Sequence, residues 1–144
     1  MNKIRMIALA ACMAATLDAS AQEQEIRLFS HRGGRMEHDE NTFSAFQASY
    51  DAGYRGFETD IRMTRDGALV ITHDSSLERT TDGTGTVEEK TEAEIRRLHT
   101  KQGNKVLFLD ELLEFLEGKE GLYVEFEMKT HPAALYPEER LARY

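Results

Sequence analysis

Along the chain the spacing of apolar residues switches between a period of two and a period near a helical turn. "FETDIRMT" (57–64) sets Phe57, Thr59, Ile61 and Met63 against Glu58, Asp60, Arg62 and Thr64. That alternation predicts a strand. "RDG" (65–67) signals a turn, and "ALVITH" (68–73) predicts a second strand. "LYVEFEMK" (122–129) alternates again, with Val124, Phe126 and Met128 opposite Glu125, Glu127 and Lys129. A shorter strand is expected in "EIRLFS" (25–30). Between them, "NTFSAFQASYDAG" (41–53) places Phe43, Phe46 and Tyr50 at helical spacing, after an Asn/Thr start and before a Gly stop. "TEAEIRRLH" (91–99) opens with Thr91 and Glu94 at capping-box spacing. "LDELLEFLEG" (109–118) is an amphipathic helix with a Gly stop, and "PEERLARY" (137–144) carries the Pro-Glu-Glu of a helix start. Residues 31–40 and 74–90 predict loops.

This order of elements favours an α/β fold. One stretch fits poorly. "MTRDGALV" implies either a hairpin or an extended loop mistaken for a strand, in a chain whose other strands are separated by helices.

The N-terminus reads differently from the rest. Lys3 and Arg5 precede an apolar run from Met6 to Leu17, and Ala19-Ser20-Ala21 supplies the small residues of a cleavage site. Residues 1–21 therefore predict a secretory signal peptide and a secreted or periplasmic protein. The run is too short for a transmembrane span. "LAAC", ending at Cys12, resembles a lipoprotein cleavage box, but a small apolar residue within the leader is the simpler reading than a lipid anchor. The whole chain carries a formal charge of −8. Loss of the leader removes Lys3, Arg5 and Asp18, two positive charges and one negative, and leaves −9. That argues against general nucleic-acid binding. Cys12 is the single cysteine, so the cleaved chain has no disulfide and no thiolate metal site.

The chemistry concentrates on the alternating strands. Residues two apart on a strand share a face, so Glu58 and Asp60 point together, as do Glu125, Glu127 and Lys129. A solvated face explains each pair alone. If the two faces meet, the carboxylates repel unless a cation or proton lies between them. Oxygen ligands without cysteine suit Ca2+ or Mg2+ better than zinc. Two of the five histidines end strand-like runs. His31 precedes Arg32-Gly33-Gly34, where glycines permit close backbone approach and Arg32 offers a fork for phosphate. His73 precedes Asp74. Spacing alone leaves function and coincidence equally open for this pair, whereas His38, His99 and His131 read as surface residues. Two histidines, a cation, an Arg and a Lys together suit phosphodiester cleavage, one imidazole taking a proton and the other giving one.

The stretches "SHRGG", "ENTFSAFQASYDAGYRGFETDIRMTRDGALVITHD", "LERTTDGTGTV" and "YVEFEMK" make the chain resemble the glycerophosphodiester phosphodiesterases. The resemblance covers residues 26–129. It implies a TIM-type (β/α)8 barrel and hydrolysis of glycerophosphodiesters, small-molecule substrates, to glycerol 3-phosphate and an alcohol. It implies His31 and His73 as catalytic residues, and Glu58, Asp60 and Glu127 as ligands of one divalent cation. Arg32 and Lys129 would bind the phosphate, with Glu40, of "ENT", beside them. Asp39 departs from the family, which usually has Pro there. Length departs further. Without residues 1–21 the 144-residue chain has 123, against ~250 for a typical barrel. Residues 22–144 are thus expected to cover only about the N-terminal half of the domain. The alternatives are another phosphodiesterase of the superfamily, phospholipase D-like or phosphoinositide-type, or a non-catalytic remnant.

Overall fold

The computed structural model describes residues 27–144. The leader, its cleavage site and Cys12 lie outside the described residues. The elements are β1 (Phe29–His31), α1 (Phe43–Asp51), β2 (Gly56–Met63), β3 (Leu69–Ile71), α2 (Glu92–Ile95), α3 (Leu109–Leu116), β4 (Tyr123–Met128) and α4 (Glu138–Leu141). Short 3-10 turns occupy Val87–Glu89 and Ala133–Leu135. Every predicted element is present, most of them shorter at their ends.

β2 is the centre of the sheet. β4 runs parallel to it from Gly56↔Tyr123 to Ile61↔Met128. β1 runs parallel over Gly56–Glu58, and β3 antiparallel over Ile61–Met63. A strand has two edges, so β1 and β3 share the edge opposite β4, one beyond the other. The doubtful stretch is therefore a hairpin. Its turn is closed by Thr64, whose N–H donates to Ala68 O and whose Oγ1 accepts from Ala68 N–H, both at 2.8 Å. Arg140 of α4 and Arg143 just past it donate to the carbonyls of Thr64 and Asp66, each at 2.9 Å, and pin that turn.

The sheet has one apolar and one charged face. Phe57 and Ile61 of β2 join Phe46 of α1 and Leu112 and Phe115 of α3 in one buried cluster, with Val124 and Phe126 of β4 packed against it. Burying such a side chain is worth about 1.5–3 kcal/mol. Helices as short as α1 and α3 are marginal alone, so this contact is what holds them. Thr42 caps α1 by accepting from Ala45 N–H at 3.3 Å. Thr91 and Glu94 form the expected capping box. The long loop is not merely solvated, because Leu77 and Val87 fill a second cluster with Val70, Ile95, Val106 and Phe108.

After β1 the chain must turn sharply toward α1, and Gly33 allows it. Its φ is +74°, and an added Cβ would stand 2.9 Å from Ala45 Cβ. Gly53 also has positive φ, +94°, but nothing lies within 4 Å of its Cβ position. Gly53→Ala should therefore lose only the conformational part, roughly 1–2 kcal/mol. Gly33→Ala should lose clearly more, because α1 must also move. Urea unfolding of both variants in the intact protein checks this, and equal losses would contradict it.

Candidate active site

The polar face of β2 presents Glu58, Asp60 and Arg62. Register sets Glu58 beside His31 on β1, and Asp60 beside Glu127 on β4. In-register neighbours of parallel strands point to the same face. The two sets of carboxylates therefore meet side by side within one sheet. Among the described residues, Glu58, Asp60 and Glu127 form a group whose ligand oxygens lie within 4.8 Å of one another.

Asp60 is fully buried. Asn41 Nδ2 donates to its Oδ2 at 3.0 Å, and Arg32 Nε lies 3.1 Å from the same oxygen. Lys129 Nζ lies 3.1 Å from Oδ1 and 2.5 Å from Glu127 Oε1. Both contacts to Asp60 are ion pairs off the line of a hydrogen bond, so Asp60 Oδ1 is buried with no hydrogen-bond donor. Burial, and next the charge of Asp60, push the Glu58 carboxyl above its ordinary range. Burial opposes the charge on Lys129, yet Glu127 and Asp60 hold its ammonium above its ordinary range. The cluster thus has more negative charge than its surroundings solvate. It has hard oxygen donors and one oxygen without a donor. That set fits a divalent cation.

His31 Nε2 lies 3.4 Å from Glu58 Oε2. Arg32 has a φ of +53°, which turns its side chain back into the sheet. Its Nη1 donates to Glu40 Oε1 at 3.3 Å. The hairpin returns the chain to β2, where Thr72 N–H donates to Asp60 O at 3.0 Å. His73 follows, with Nδ1 2.6 Å from Asp74 Oδ1. The three remaining histidines are exposed, as expected.

The fold and this constellation agree with one family. The sequence model of the glycerophosphoryl diester phosphodiesterase family matches residues 31–143. The chain belongs to this family. A glycerophosphodiester phosphodiesterase of Caldanaerobacter subterraneus subsp. tengcongensis is 35% identical over 125 residues, 81% of this chain and 51% of that protein. The crystal structure of a glycerophosphodiester phosphodiesterase from Agrobacterium tumefaciens matches with a TM-score of 0.67 at 35% identity, covering 77% of this chain and 52% of that one. An Oleispira antarctica phosphodiesterase, solved in complex with the product sn-glycerol-3-phosphate, matches with a TM-score of 0.67 at 29% identity, covering 72% and 44%. The chain spans about half the length of the curated relatives it matches first. Parallel strands β1, β2 and β4, with α1 and α3 outside them, form part of the TIM-type barrel of this phosphodiesterase family. The β2–β3 hairpin is inserted into that alternation.

Several polar residues of this face had no strong sequence signal. Asn41, in the same "ENT" as Glu40, donates to Asp60 and also accepts from Thr59 Oγ1 at 3.0 Å. Arg62 donates through Nε to His73 O and through Nη1 to His131 O and Glu88 Oε1, each at 2.8 Å. Glu88 is buried in what reads as loop, where Ser75 Oγ and Tyr136 Oη donate to it. Arg79 bridges Asp74 and Glu40.

The hydrogen bond from Arg79 is the main cause that holds Asp74 down to about 2 and Glu40 below its ordinary range. Carboxyls depressed in this way stabilise the fold above their unfolded values, near pH ~4. That contribution disappears as pH falls through the folded values, toward 2 for Asp74. Arg79→Met should flatten the acid limb of the stability curve in this window. The difference should stay below about 1 kcal/mol because Arg79 is solvated. Urea titrations at pH 2.5–7 check it, and an unchanged acid limb would contradict it.

Proposed function

We propose that the protein is a metal-dependent glycerophosphodiester phosphodiesterase, releasing glycerol 3-phosphate and an alcohol. The observation that carries this reading is the meeting of Glu58, Asp60 and Glu127 beside His31, in a chain of this family. Those three carboxylates would hold one Ca2+ or Mg2+. When bound, the cation supplies positive charge to the phosphoryl oxygens. Lys129, beside Asp60 and Glu127, would offer its charge to the phosphate, as would Arg32. Glu40 keeps Arg32 on the site side of the loop. The predicted leader adds the expectation that the reaction takes place outside the cytoplasm.

His31 takes the proton from a glycerol hydroxyl, whose oxygen attacks phosphorus. His73 gives a proton to the departing alcohol as its bond to phosphorus breaks. Water then opens the cyclic phosphate, with His73 as base and His31 as acid, and both histidines return to their first state. Glu58 Oε2, 3.4 Å from His31 Nε2, holds that ring at the edge of the carboxylate cluster. The pairing of His73 Nδ1 with Asp74 leaves Nε2 for the leaving group.

The test uses the intact protein with glycerophosphocholine, with and without EDTA. Metal-dependent release of glycerol 3-phosphate is expected. His73→Ala should lower turnover by about 10²–10⁴-fold and leave calorimetric cation binding nearly unchanged. Absence of turnover in a folded protein would sink the substrate assignment. Loss of cation affinity in His73→Ala would show instead that His73 serves the metal.

A further inference from the structure

Arg79 lies in "LERTTDG", a stretch without helix or strand. Its guanidinium nevertheless meets two carboxylates. Nη1 donates to Glu40 Oε2 at 3.0 Å and Nη2 to Glu40 Oε1 at 2.7 Å, a bidentate fork. Nε donates to Asp74 Oδ2. Asp74 places its other oxygen, Oδ1, against His73 Nδ1 at 2.6 Å. A chain of contacts therefore runs from Glu40 through Arg79 and Asp74 to the ring of His73.

This chain answers a need of the proposed chemistry. A histidine that protonates a leaving alcohol must present one defined nitrogen to it. A carboxylate on Nδ1 fixes the ring and keeps the proton on that side, so that Nε2 faces the reactants. Asp74 alone is a poor clamp, because it is partly exposed and free to rotate about its own bonds. With Oδ2 tied to Arg79 and Arg79 tied by two bonds to Glu40, that rotation is blocked. Around the ring the segment is further held by Arg62 at the His73 carbonyl, Asp60 at Thr72 N–H and Glu88 at Ser75 Oγ. None of these contacts orients the ring.

We propose that Arg79 is a positioning residue for leaving-group protonation: anchored on Glu40, it locks Asp74, and Asp74 locks His73 with Nε2 toward the scissile ester oxygen. In that step a proton passes from His73 Nε2 to the alcohol oxygen as the P–O bond breaks. The ring is left neutral with Nδ1–H on Asp74. The same guanidinium holds the carboxyls of Asp74 and Glu40 below their ordinary range. A lysine, a point charge without a fork, would hold the two carboxylates only in part. The inference rests on the reading of His73 as proton donor.

The test compares two diesters in the intact protein with its cation. From glycerophosphocholine the leaving group is choline, an alkoxide that needs the proton. From glycerophospho-p-nitrophenol it is p-nitrophenolate, a stable anion that does not. Release of the first product is measured for wild type, Arg79→Met, Arg79→Lys and Asp74→Asn, and thermal melts control for folding. For Arg79→Met, kcat on glycerophosphocholine should fall on the order of 10- to 100-fold, with a much smaller fall on the nitrophenyl ester. Asp74→Asn should show the same selectivity, and Arg79→Lys should recover part of the loss. An effect passed through Glu40 to Arg32 would weaken both substrates alike and appear in KM. Equal kcat losses on both diesters, or none, would overturn the proposal. Wild type releasing p-nitrophenol but not choline would overturn the underlying role of His73, a distinct result.

Discussion

A fully buried carboxylate, Asp60, organises this structure. An ionised carboxylate without water is costly unless it is paired and hydrogen-bonded. Here the partners come from three separate segments: Arg32 from the turn after β1, Asn41 from the entry to α1, and Lys129 from the end of β4. Each segment is drawn to the same point on β2. Arg32 and Asn41 both adopt positive φ, +53° and +58°, which L residues avoid. Such conformations persist where the surroundings over-determine them, and two of the three partners of Asp60 have them. A cation among Glu58, Asp60 and Glu127 would complete a charge balance that the protein itself leaves short by one hydrogen-bond donor at Asp60 Oδ1.

The hairpin is the second organising device. Strictly alternating strands and helices would carry the chain away from the C-terminal end of β2. The antiparallel return over Ile61–Met63 instead runs back along β2 and sets Thr72 beside Asp60, with His73 next. Both histidines are thus referred to one strand, His31 through Glu58 and His73 through the backbone of Asp60 and the side chain of Arg62. The apolar reverse of β2 is packed by α1 and α3, so the reference strand cannot easily shift. Precision of this kind comes from building a site on a packed strand.

The fold was legible where period and caps agreed. "FETDIRMT" and "LYVEFEMK" sorted their faces correctly because each strand has the core on one side only. Thr42 and Thr91 marked helix starts because their side-chain oxygens satisfy free N–H groups. The shared faces of Glu58 with Asp60 and of Glu127 with Lys129 were legible from strand period, whereas spacing alone left the histidine pair open. What escaped was set by tertiary contact. Arg79 and Glu88 sit in a stretch with no period at all, and their roles come from partners 39 and 26 residues away in sequence. Asn41 read as part of a helix start, and its bonds to Asp60 and Thr59 depend on how α1 is brought against β2.

The cation among Glu58, Asp60 and Glu127 is the central claim, and it can be measured without turnover. Calorimetric titration of the intact protein with Ca2+ and Mg2+ tests it directly, compared with Glu127→Gln, a change at a solvent-exposed ligand. The cation reading predicts one site per chain, weakened by an order of magnitude or more in the variant, on the order of what loss of a ligating or supporting group costs. Binding of equal strength in both proteins, or no binding in the wild type, would contradict it.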